Sequence, residues 1–169
     1  MIRPNHNNRR SEGQVFDRFV GLGPELGPID QVAFVVRDMA AALPMYTSLF
    51  GPFSQREASY SPETTTYRGR PISARLLVAA TGPNPVEIEL IQVLEGEPPQ
   101  ADHLAQHGEG LHHVRFVVAD LEPTRDSMEE AGFETVLYGS TQSGNLRAYM
   151  GAADALGHTL VEILQRGGG

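Results

Sequence analysis

The sequence contains two copies of one short unit. Segment 31–39 reads Gln-Val-Ala-Phe-Val-Val-Arg-Asp-Met, and segment 113–121 repeats it as His-Val-Arg-Phe-Val-Val-Ala-Asp-Leu. A second echo follows, because Glu-Leu-Ile-Gln at 89–92 returns as Glu-Ile-Leu-Gln at 162–165. A repeated unit usually buries its apolar face against its twin, and equivalent positions then approach one another across a pseudo-twofold axis. The repeat therefore predicts that the first residues of these four segments lie near one another.

The two copies define the predicted organisation of the chain. Each begins with an alternating, β-rich strand, and Asp38 and Asp120 then stand where an N-cap precedes a helix. Three more strands are expected after each helix, near 53–59, 72–80 and 86–93 in the first copy and near 133–138, 146–151 and 159–165 in the second. The predicted segments are a flexible N-terminal arm at 1–28, a βαβββ module at 29–93, a linker at 94–110, a second βαβββ module at 111–165 and a frayed C-terminus at 166–169.

Length and composition set the class of protein and of partner. The 169 residues are enough for one well-buried domain. A formal net charge of -8 opposes binding to nucleic acid or to an anionic membrane, because both demand a basic surface. The absence of cysteine excludes a disulfide framework and a thiolate zinc site. We predict a soluble, cytoplasmic protein that acts on a small molecule, with no nucleic-acid or membrane partner.

Strand alternation places the repeated polar residues on one surface. Val and Phe positions of each leading strand form the apolar face, which leaves Gln31 and His113 on the opposite face. Glu89 and Glu162 can line the same concave surface from the closing strands. Each residue taken singly is more typical of a pocket rim or a core, but their joint placement favours a metal site. One nitrogen and three oxygen ligands suit an open site for Zn, Ni, Co, Mn, Fe or Mg rather than a closed structural zinc.

The segment 108–116, Gly-Glu-Gly-Leu-His-His-Val-Arg-Phe, carries the most specific resemblance to a known family. Together with Asp-Leu at 120–121 and Ala-Gly-Phe at 131–133, it resembles the vicinal oxygen chelate superfamily of glyoxalases, bleomycin resistance proteins and dioxygenases. Within that superfamily the pattern is most similar to the methylmalonyl-CoA epimerase family, over residues 29–165. The resemblance implies an α+β fold in which two tandem βαβββ modules form a U-shaped, partly open mixed sheet around a central cavity. It also implies a homodimer.

The resemblance implies a site and a chemistry as well. Gln31, Glu89, His113 and Glu162 fall on the four metal-ligand positions of the superfamily, and this ligand set is similar to that of glyoxalase I. The implied activity is a divalent-metal-dependent proton transfer next to a carbonyl, of epimerase or isomerase type, on an acyl-CoA or a small carboxylate or carbonyl compound. Glu162 is then both ligand and catalytic base. Arg115 is expected to orient the substrate, and a salt bridge to Glu87 or Glu89 is the alternative role for it.

Departures from each relative leave alternatives open. The epimerases carry a second catalytic glutamate at the place of Ala74, so another carboxylate, Glu57, Glu63 or Glu87, would have to replace it. The arginines with which glyoxalase I holds glutathione correspond to Val35 and Glu109, which argues against that substrate. A glyoxalase I-like lyase and a non-catalytic binding or sequestering protein of the bleomycin-resistance type remain as alternative functions.

The remaining charged and polar groups are predicted to be structural or solvated. His112 is expected to turn away from the pocket, and His103, His107 and His158 to lie in solvent. Scattered arginines are usually solvated, although they could meet phosphate groups; these are Arg68, Arg70, Arg75 and Arg147. The segment 139–144, Gly-Ser-Thr-Gln-Ser-Gly, is predicted to be a surface loop, with a mobile lid as the alternative.

Overall fold

The computed structural model describes residues 26–83 and 85–168. Most of the predicted N-terminal arm and the last residue of the predicted C-terminal segment lie outside the described residues. No helix within the described ranges is long and apolar enough to cross a membrane. A cytoplasmic location stays a prediction.

Ten strands and four helices follow one another along the described chain. The first copy holds β1 (Ile29–Val35), α1 (Met39–Phe50), β2 (Ser54–Tyr60), β3 (Thr65–Tyr67), β4 (Arg70–Pro71), β5 (Ala74–Ala80) and β6 (Glu87–Gly96). The linker contains α2 (Pro99–Gln106), and the second copy holds β7 (Gly110–Val118), α3 (Leu121–Glu130), β8 (Glu134–Ser140), β9 (Leu146–Gly151), α4 (Ala153–Leu156) and β10 (Leu160–Gln165).

The strands form one curled, open sheet in the order β2-β5-β6-β1-β7-β10-β9-β8-β3-β4. The leading strands β1 and β7 are antiparallel neighbours at its centre, where Val32 opposes Val114. Each leading strand is also parallel to the closing strand of its own copy, β6 or β10. The sheet is therefore mixed and the fold is α+β, as predicted.

The repeat is visible in how the two long helices begin. The side chain of Asp38 accepts hydrogen bonds from the amides of Ala40 and Ala41, while that of Asp120 makes no capping bond to α3. In each copy the glutamine that ends the second echo also bonds the helix start. Gln92 Oε1 accepts from the Met39 amide at 2.8 Å, and Gln165 Oε1 accepts from the Leu121 amide at the same distance. Each closing strand is thus tied to the first turn of its own helix.

The apolar residues pack in three groups around the sheet. One group lies between α1 and the strands of the first copy and includes Met39 and Leu90. Its counterpart lies between α3 and the strands of the second copy and includes Met128 and Ile163. The third group spans both copies; it consists of Ala33, Tyr60, Ala74, Leu76, Val78, Ile91, Leu137 and Tyr149. Because Ala33 and Ile91 alternate with residues that face the helix, this third group occupies the concave face.

A short hairpin, β3–β4, interrupts the predicted βαβββ pattern of the first copy. It does not pair with its own copy but with β8, the outer strand of the second, where Thr65 opposes Gly139. Arg68 and Gly69 form its turn with φ values of 49° and 73°, and positive φ at both positions is typical of a tight hairpin turn. The sequence predicted no strand here because such short strands depend on a partner that is distant along the chain.

Replacing Gly139 with alanine should loosen this hairpin. A Cβ atom at Gly139 would lie 2.3 Å from the Thr64 carbonyl oxygen and 2.7 Å from the Thr65 Cα. We expect Gly139→Ala to lower the free energy of unfolding by about 1–3 kcal/mol, as overpacked sites do. Gly82→Ala is the control, since nothing lies within 4 Å of its added Cβ. Urea unfolding curves measure the difference, and equal midpoints for the two variants would contradict the prediction.

Candidate functional site

The four predicted ligand residues are all buried near the centre of the concave face. Gln31 and His113 come from the central strands β1 and β7, while Glu89 and Glu162 come from the flanking strands β6 and β10. Their exposed fractions are 1%, 0%, 8% and 5%, respectively. Charged and polar side chains are seldom buried to this extent without partners, so their contacts decide what the site can do.

His113 is the meeting point of this group. Its Nε2 atom lies 3.0 Å from Glu162 Oε2 and 3.3 Å from Gln31 Oε1. Because both neighbours are oxygen acceptors, these two contacts place the ring proton of His113 on Nε2. The orientation of the Gln31 amide follows from its other end, where Nε2 donates to Glu87 Oε1 at 2.5 Å. Three of the four predicted ligands are therefore in contact.

Glu89 shares the cavity but is not in contact with the other three. It forms an ion pair with Arg56, whose Nη2 atom lies 3.6 Å from Glu89 Oε1. Burial raises the pKa of Glu89, and the charge of Glu162 raises it further against the opposing effects of His113 and Arg56. Burial also raises the pKa of Glu162, but the hydrogen bond and charge of His113 outweigh it and lower that pKa overall. The pKa values of the two carboxylates therefore shift in opposite directions, that of Glu89 upward and that of Glu162 downward.

The donor set fits a divalent cation in its chemistry. Within the described ranges, no three His, Cys, Asp or Glu side chains already surround one point as a metal site would. One of the three converging donors is the amide oxygen of Gln31, and Glu89 stands apart with Arg56. Nevertheless, His113 Nε2 has a carboxylate oxygen and an amide oxygen within 3.3 Å, and a second carboxylate lies in the same cavity. Such a set of ligands is typical of open divalent sites. These four residues could hold such an ion once the Nε2 proton of His113 leaves.

The site opens into a cavity of about 400 Å³. Its walls combine polar groups near the candidate ligands with apolar side chains such as Leu76, Val78 and Leu164. The loop between β8 and β9 lines its mouth, and Gln142 Nε2 donates to Ser59 Oγ at 2.8 Å across that mouth. The volume suits a small molecule or the reactive part of a larger one.

Arg115 lies at the site but is held by an acidic residue that the sequence reasoning missed. Its Nε and one terminal nitrogen bond the two carboxylate oxygens of Asp30 at 2.9 and 3.0 Å, and Glu87 Oε1 lies 3.5 Å away. Burial alone would lower the pKa of Arg115, but the hydrogen bond to Asp30 raises it overall. Asp30 reaches this position because β1 has an extra residue there relative to β7, between Ile29 and Gln31. The role of Arg115 in substrate binding stays a prediction.

The three carboxylates considered as a second base have different surroundings in the structure. Glu57 lines the cavity, with a Glu57–Arg75 ion pair at 3.5 Å. Glu63 bonds Ser61 and is not among the cavity-lining residues, and Glu87 is engaged by the Gln31 amide. Ala74 itself is 4% exposed within the apolar group of the concave face.

Tyr149 is a further residue of the site that the sequence analysis did not single out. It opposes Glu162 in the β9–β10 register, and its ring centroid lies 4.9 Å from that of His113. Burial raises the pKa of Tyr149 well above its usual value, so the phenol stays protonated. The sequence could have indicated Tyr149 only if the register between β9 and β10 had been known, because that register places it opposite Glu162.

Four histidines pack together beyond the site, which the sequence analysis did not foresee. His103 is 7% exposed rather than solvated, and its ring centroid lies 5.3 Å from His112 and 5.6 Å from His158. His107 stacks on His158 with 4.1 Å between centroids. His112 is buried, as a structural role requires, and its Nδ1 atom lies 2.9 Å from Nδ1 of His113. This cluster therefore packs behind the candidate ligand His113.

The ion pair of Arg115 with Asp30 should contribute to stability. Removing one partner leaves the other charge partly buried, so Arg115→Met should lower the free energy of unfolding by about 2 kcal/mol, less than for a fully buried pair. The double variant with Asp30→Asn should lose less than the sum of the single variants. Chemical denaturation of all four proteins measures this coupling. A variant Arg115→Met with unchanged stability would contradict this structural role.

Comparison with solved structures shows which proteins share this architecture. A variant of the Streptomyces coelicolor methylmalonyl-CoA epimerase in complex with 2-nitronate-propionyl-CoA has a TM-score of 0.57 at 18% identity, over 83% of this chain and 97% of that chain. The methylmalonyl-CoA epimerase from Mycobacterium tuberculosis has a TM-score of 0.58 at 20% identity, over 83% and 88%. A hypothetical protein from Bacillus halodurans C-125 has a TM-score of 0.62 at 20% identity, over 84% and 96%. These likenesses concern the fold.

Comparison by sequence gives the family. None of the curated proteins matches the chain. The family model described as the Glyoxalase/Bleomycin resistance protein/Dioxygenase superfamily matches residues 30–149. That match spans most of the chain and agrees with the curled sheet and its paired copies, so the chain belongs to this superfamily, the vicinal oxygen chelate superfamily.

Proposed function

We propose that this protein is a divalent-metal-dependent enzyme that moves a proton next to a carbonyl group, of epimerase or isomerase type. The observation that carries the proposal is the contact of His113 Nε2 with both Glu162 and Gln31, at repeat-equivalent positions inside a buried cavity. The similarity in fold to methylmalonyl-CoA epimerases supports it. An acyl-CoA or a small carboxylate or carbonyl compound is the proposed substrate.

Gln31, Glu89, His113 and Glu162 would hold the ion, which is one of Zn, Ni, Co, Mn, Fe or Mg. When bound, a cation of this kind offsets the two carboxylate charges and stabilises negative charge that develops on a carbonyl oxygen. The protein itself supplies the buried position, because all four side chains are at least nine-tenths shielded from solvent. Low solvent access strengthens every electrostatic interaction at this point.

Glu162 is the proposed base. Its lowered pKa keeps it ionised near neutral pH, even though burial alone would raise that pKa. His113 fixes one of its oxygens at 3.0 Å, which positions the carboxylate within the cavity. A general base needs this kind of fixed geometry before its pKa matters.

An inversion at carbon also needs a group that returns a proton from the opposite side. Ala74, at the place of the second glutamate in the related epimerases, cannot do so. Of the three carboxylates considered as its replacement, Glu57 is the one that lines the cavity. Its carboxylate, however, pairs with Arg75, and Glu57 opposes Leu77, which packs on the helix side of the sheet. We propose that water in the cavity returns this proton.

The alternative functions have less support from the site. The glutathione-binding arginines of glyoxalase I correspond here to Val35, which is fully buried, and to Glu109, whose carboxylate accepts from the Arg37 amide at 2.6 Å. Neither can hold an anionic peptide, so a lyase would need another substrate. A sequestering protein of the bleomycin-resistance type would use the cavity without a metal, and metal content separates it from the enzyme.

A homodimer is also proposed, and α1 supports it. This helix exposes three large apolar side chains, Met45, Leu49 and Phe50, at 53%, 66% and 45%. Apolar side chains clustered on one surface helix are typical of protein interfaces. Sedimentation of the full chain measures the state directly.

The purified protein should contain or bind one divalent ion per chain. Chelation should remove proton-exchange activity, and Mn, Co, Ni or Zn should restore it, because the two carboxylates need a cation to ionise together. Elemental analysis and calorimetric titration measure the stoichiometry. Glu89→Gln combined with Glu162→Gln should abolish binding. A stoichiometry far below one, with no metal-dependent activity, would favour the sequestering protein instead.

Solvent deuterium exchange into methylmalonyl-CoA should identify the base. Glu162→Gln should slow exchange by about 100- to 10,000-fold, because the base is lost. Glu57→Gln should leave both exchange and inversion nearly intact, because its carboxylate pairs with Arg75 and Glu57 opposes a residue of the helix-side group. Glu130→Gln is the matched control, since this glutamate is exposed at the end of α3. Wild-type rates of exchange in Glu162→Gln would exclude Glu162 as the base.

A further inference from the structure

Arg147 on β9 faces the candidate site. The amino-acid sequence alone did not distinguish it from the arginines that are predicted to be solvated. It lines the cavity together with Glu162. In the β9–β10 register Arg147 opposes Leu164, and Tyr149 opposes Glu162. Arg147 therefore stands on the same face as the proposed base, one step of about 7 Å along the strand.

The guanidinium of Arg147 is positioned by an aromatic ring rather than by an acid. It lies over the ring of Tyr60, with 4.5 Å between Cζ and the ring centroid. Its Nε atom is buried and has no hydrogen-bond partner. Among residues 26–83 and 85–168, Arg147 has no ion pair or hydrogen bond. The five N–H donors of this fixed fork are thus held at the cavity without a carboxylate from those residues.

Arg125 shows what distinguishes this arrangement. It also lies over a tyrosine ring, that of Tyr138 at 5.2 Å, and its Nε is likewise buried without a hydrogen bond. Arg125, however, is surrounded by three carboxylates within 4.0 Å, those of Glu122, Asp126 and Glu129. The charge of Arg125 is therefore balanced within the chain, whereas no contact in the described part of the chain balances the charge of Arg147.

The charges of the cavity leave Arg147 available to a ligand. Arg115 is neutralised by Asp30 at 2.9 Å. A divalent ion at the proposed site would offset Glu89 and Glu162, the two carboxylates whose charges act on Arg147. With that ion bound, a partly buried guanidinium remains without a counter-charge, and a planar anion is the ligand that best matches its fork.

We infer that Arg147 binds a carboxylate of the substrate, so that the enzyme acts on acidic carbonyl compounds and discriminates against their uncharged analogues. The inference rests on the proposed function, because the metal site fixes where the carbonyl lies. Arg147 is then a specificity-determining residue, distinct from the base Glu162. Its stacking on Tyr60 fixes the fork in advance of binding.

Two acyl-CoA probes that differ at one group test this inference. Methylmalonyl-CoA carries a carboxylate where isobutyryl-CoA carries a methyl group, while both carry the same CoA phosphates. Calorimetry on the metal-loaded full chain should show methylmalonyl-CoA binding about 10- to 100-fold more tightly, as expected for a charge-assisted pair. Arg147→Met should remove that preference, and Arg147→Lys should restore part of it.

Arg125→Met is the matched control, because it removes an arginine stacked on a tyrosine outside the cavity, and it should keep the preference. Circular dichroism and thermal unfolding establish that each variant is folded. The inference would be overturned if the two probes bind equally well, if neither binds, or if the preference survives Arg147→Met. It would also be overturned if Arg147→Met weakens both probes equally, because that result would indicate contact with the CoA phosphates. Deuterium exchange on the same samples is a separate readout: a preference that depends on Arg147 without exchange would refute the proposed function and retain the carboxylate site.

Discussion

The antiparallel pairing of β1 with β7 is the interaction on which the rest of the structure depends. It joins the two copies at the centre of the sheet and turns one face of each toward the same cavity. The glutamines at 92 and 165 then fasten each closing strand to its own helix through equivalent bonds of 2.8 Å. The carboxylates three residues earlier are thereby held on either side of the central strands, so the site is a direct product of the join.

The site concentrates polar groups where solvent cannot stabilise them, and the chain compensates for only part of that cost. His113 bonds Glu162 and Gln31, Gln31 bonds Glu87, and Asp30 bonds Arg115. Glu89 is left with a raised pKa beside a largely exposed Arg56, whose side chain is 62% accessible. An incompletely satisfied set of buried groups is typical of a functional site rather than of a packed core. This imbalance connects the architecture to the proposed binding of an ion and an anion.

Two arginines show how far strand alternation carries a prediction. Alternation placed Arg115 on the pocket face correctly, but a single extra residue in β1 brings Asp30 against it and engages its donors. Arg147 was grouped with solvated arginines, because its surroundings depend on Tyr60, which lies far away in the sequence. The hairpin β3–β4 was missed for the same reason, since its partner strand β8 belongs to the other copy. Contacts between distant segments are not encoded in local periodicity.

The sequence by itself determined the duplicated α+β architecture, the order of the principal strands and helices, and the placement of four polar residues on the concave face. Repetition and alternation suffice for these, because each follows from short-range geometry and from burial of one apolar face. Only the tertiary structure decided which of those groups touch, that Glu89 pairs with Arg56, and that the cavity-lining Arg147 has a buried Nε atom without a hydrogen-bond partner. Such outcomes depend on differences of a few ångströms in register, bulges and side-chain reach, which chain segments acquire only when they pack together.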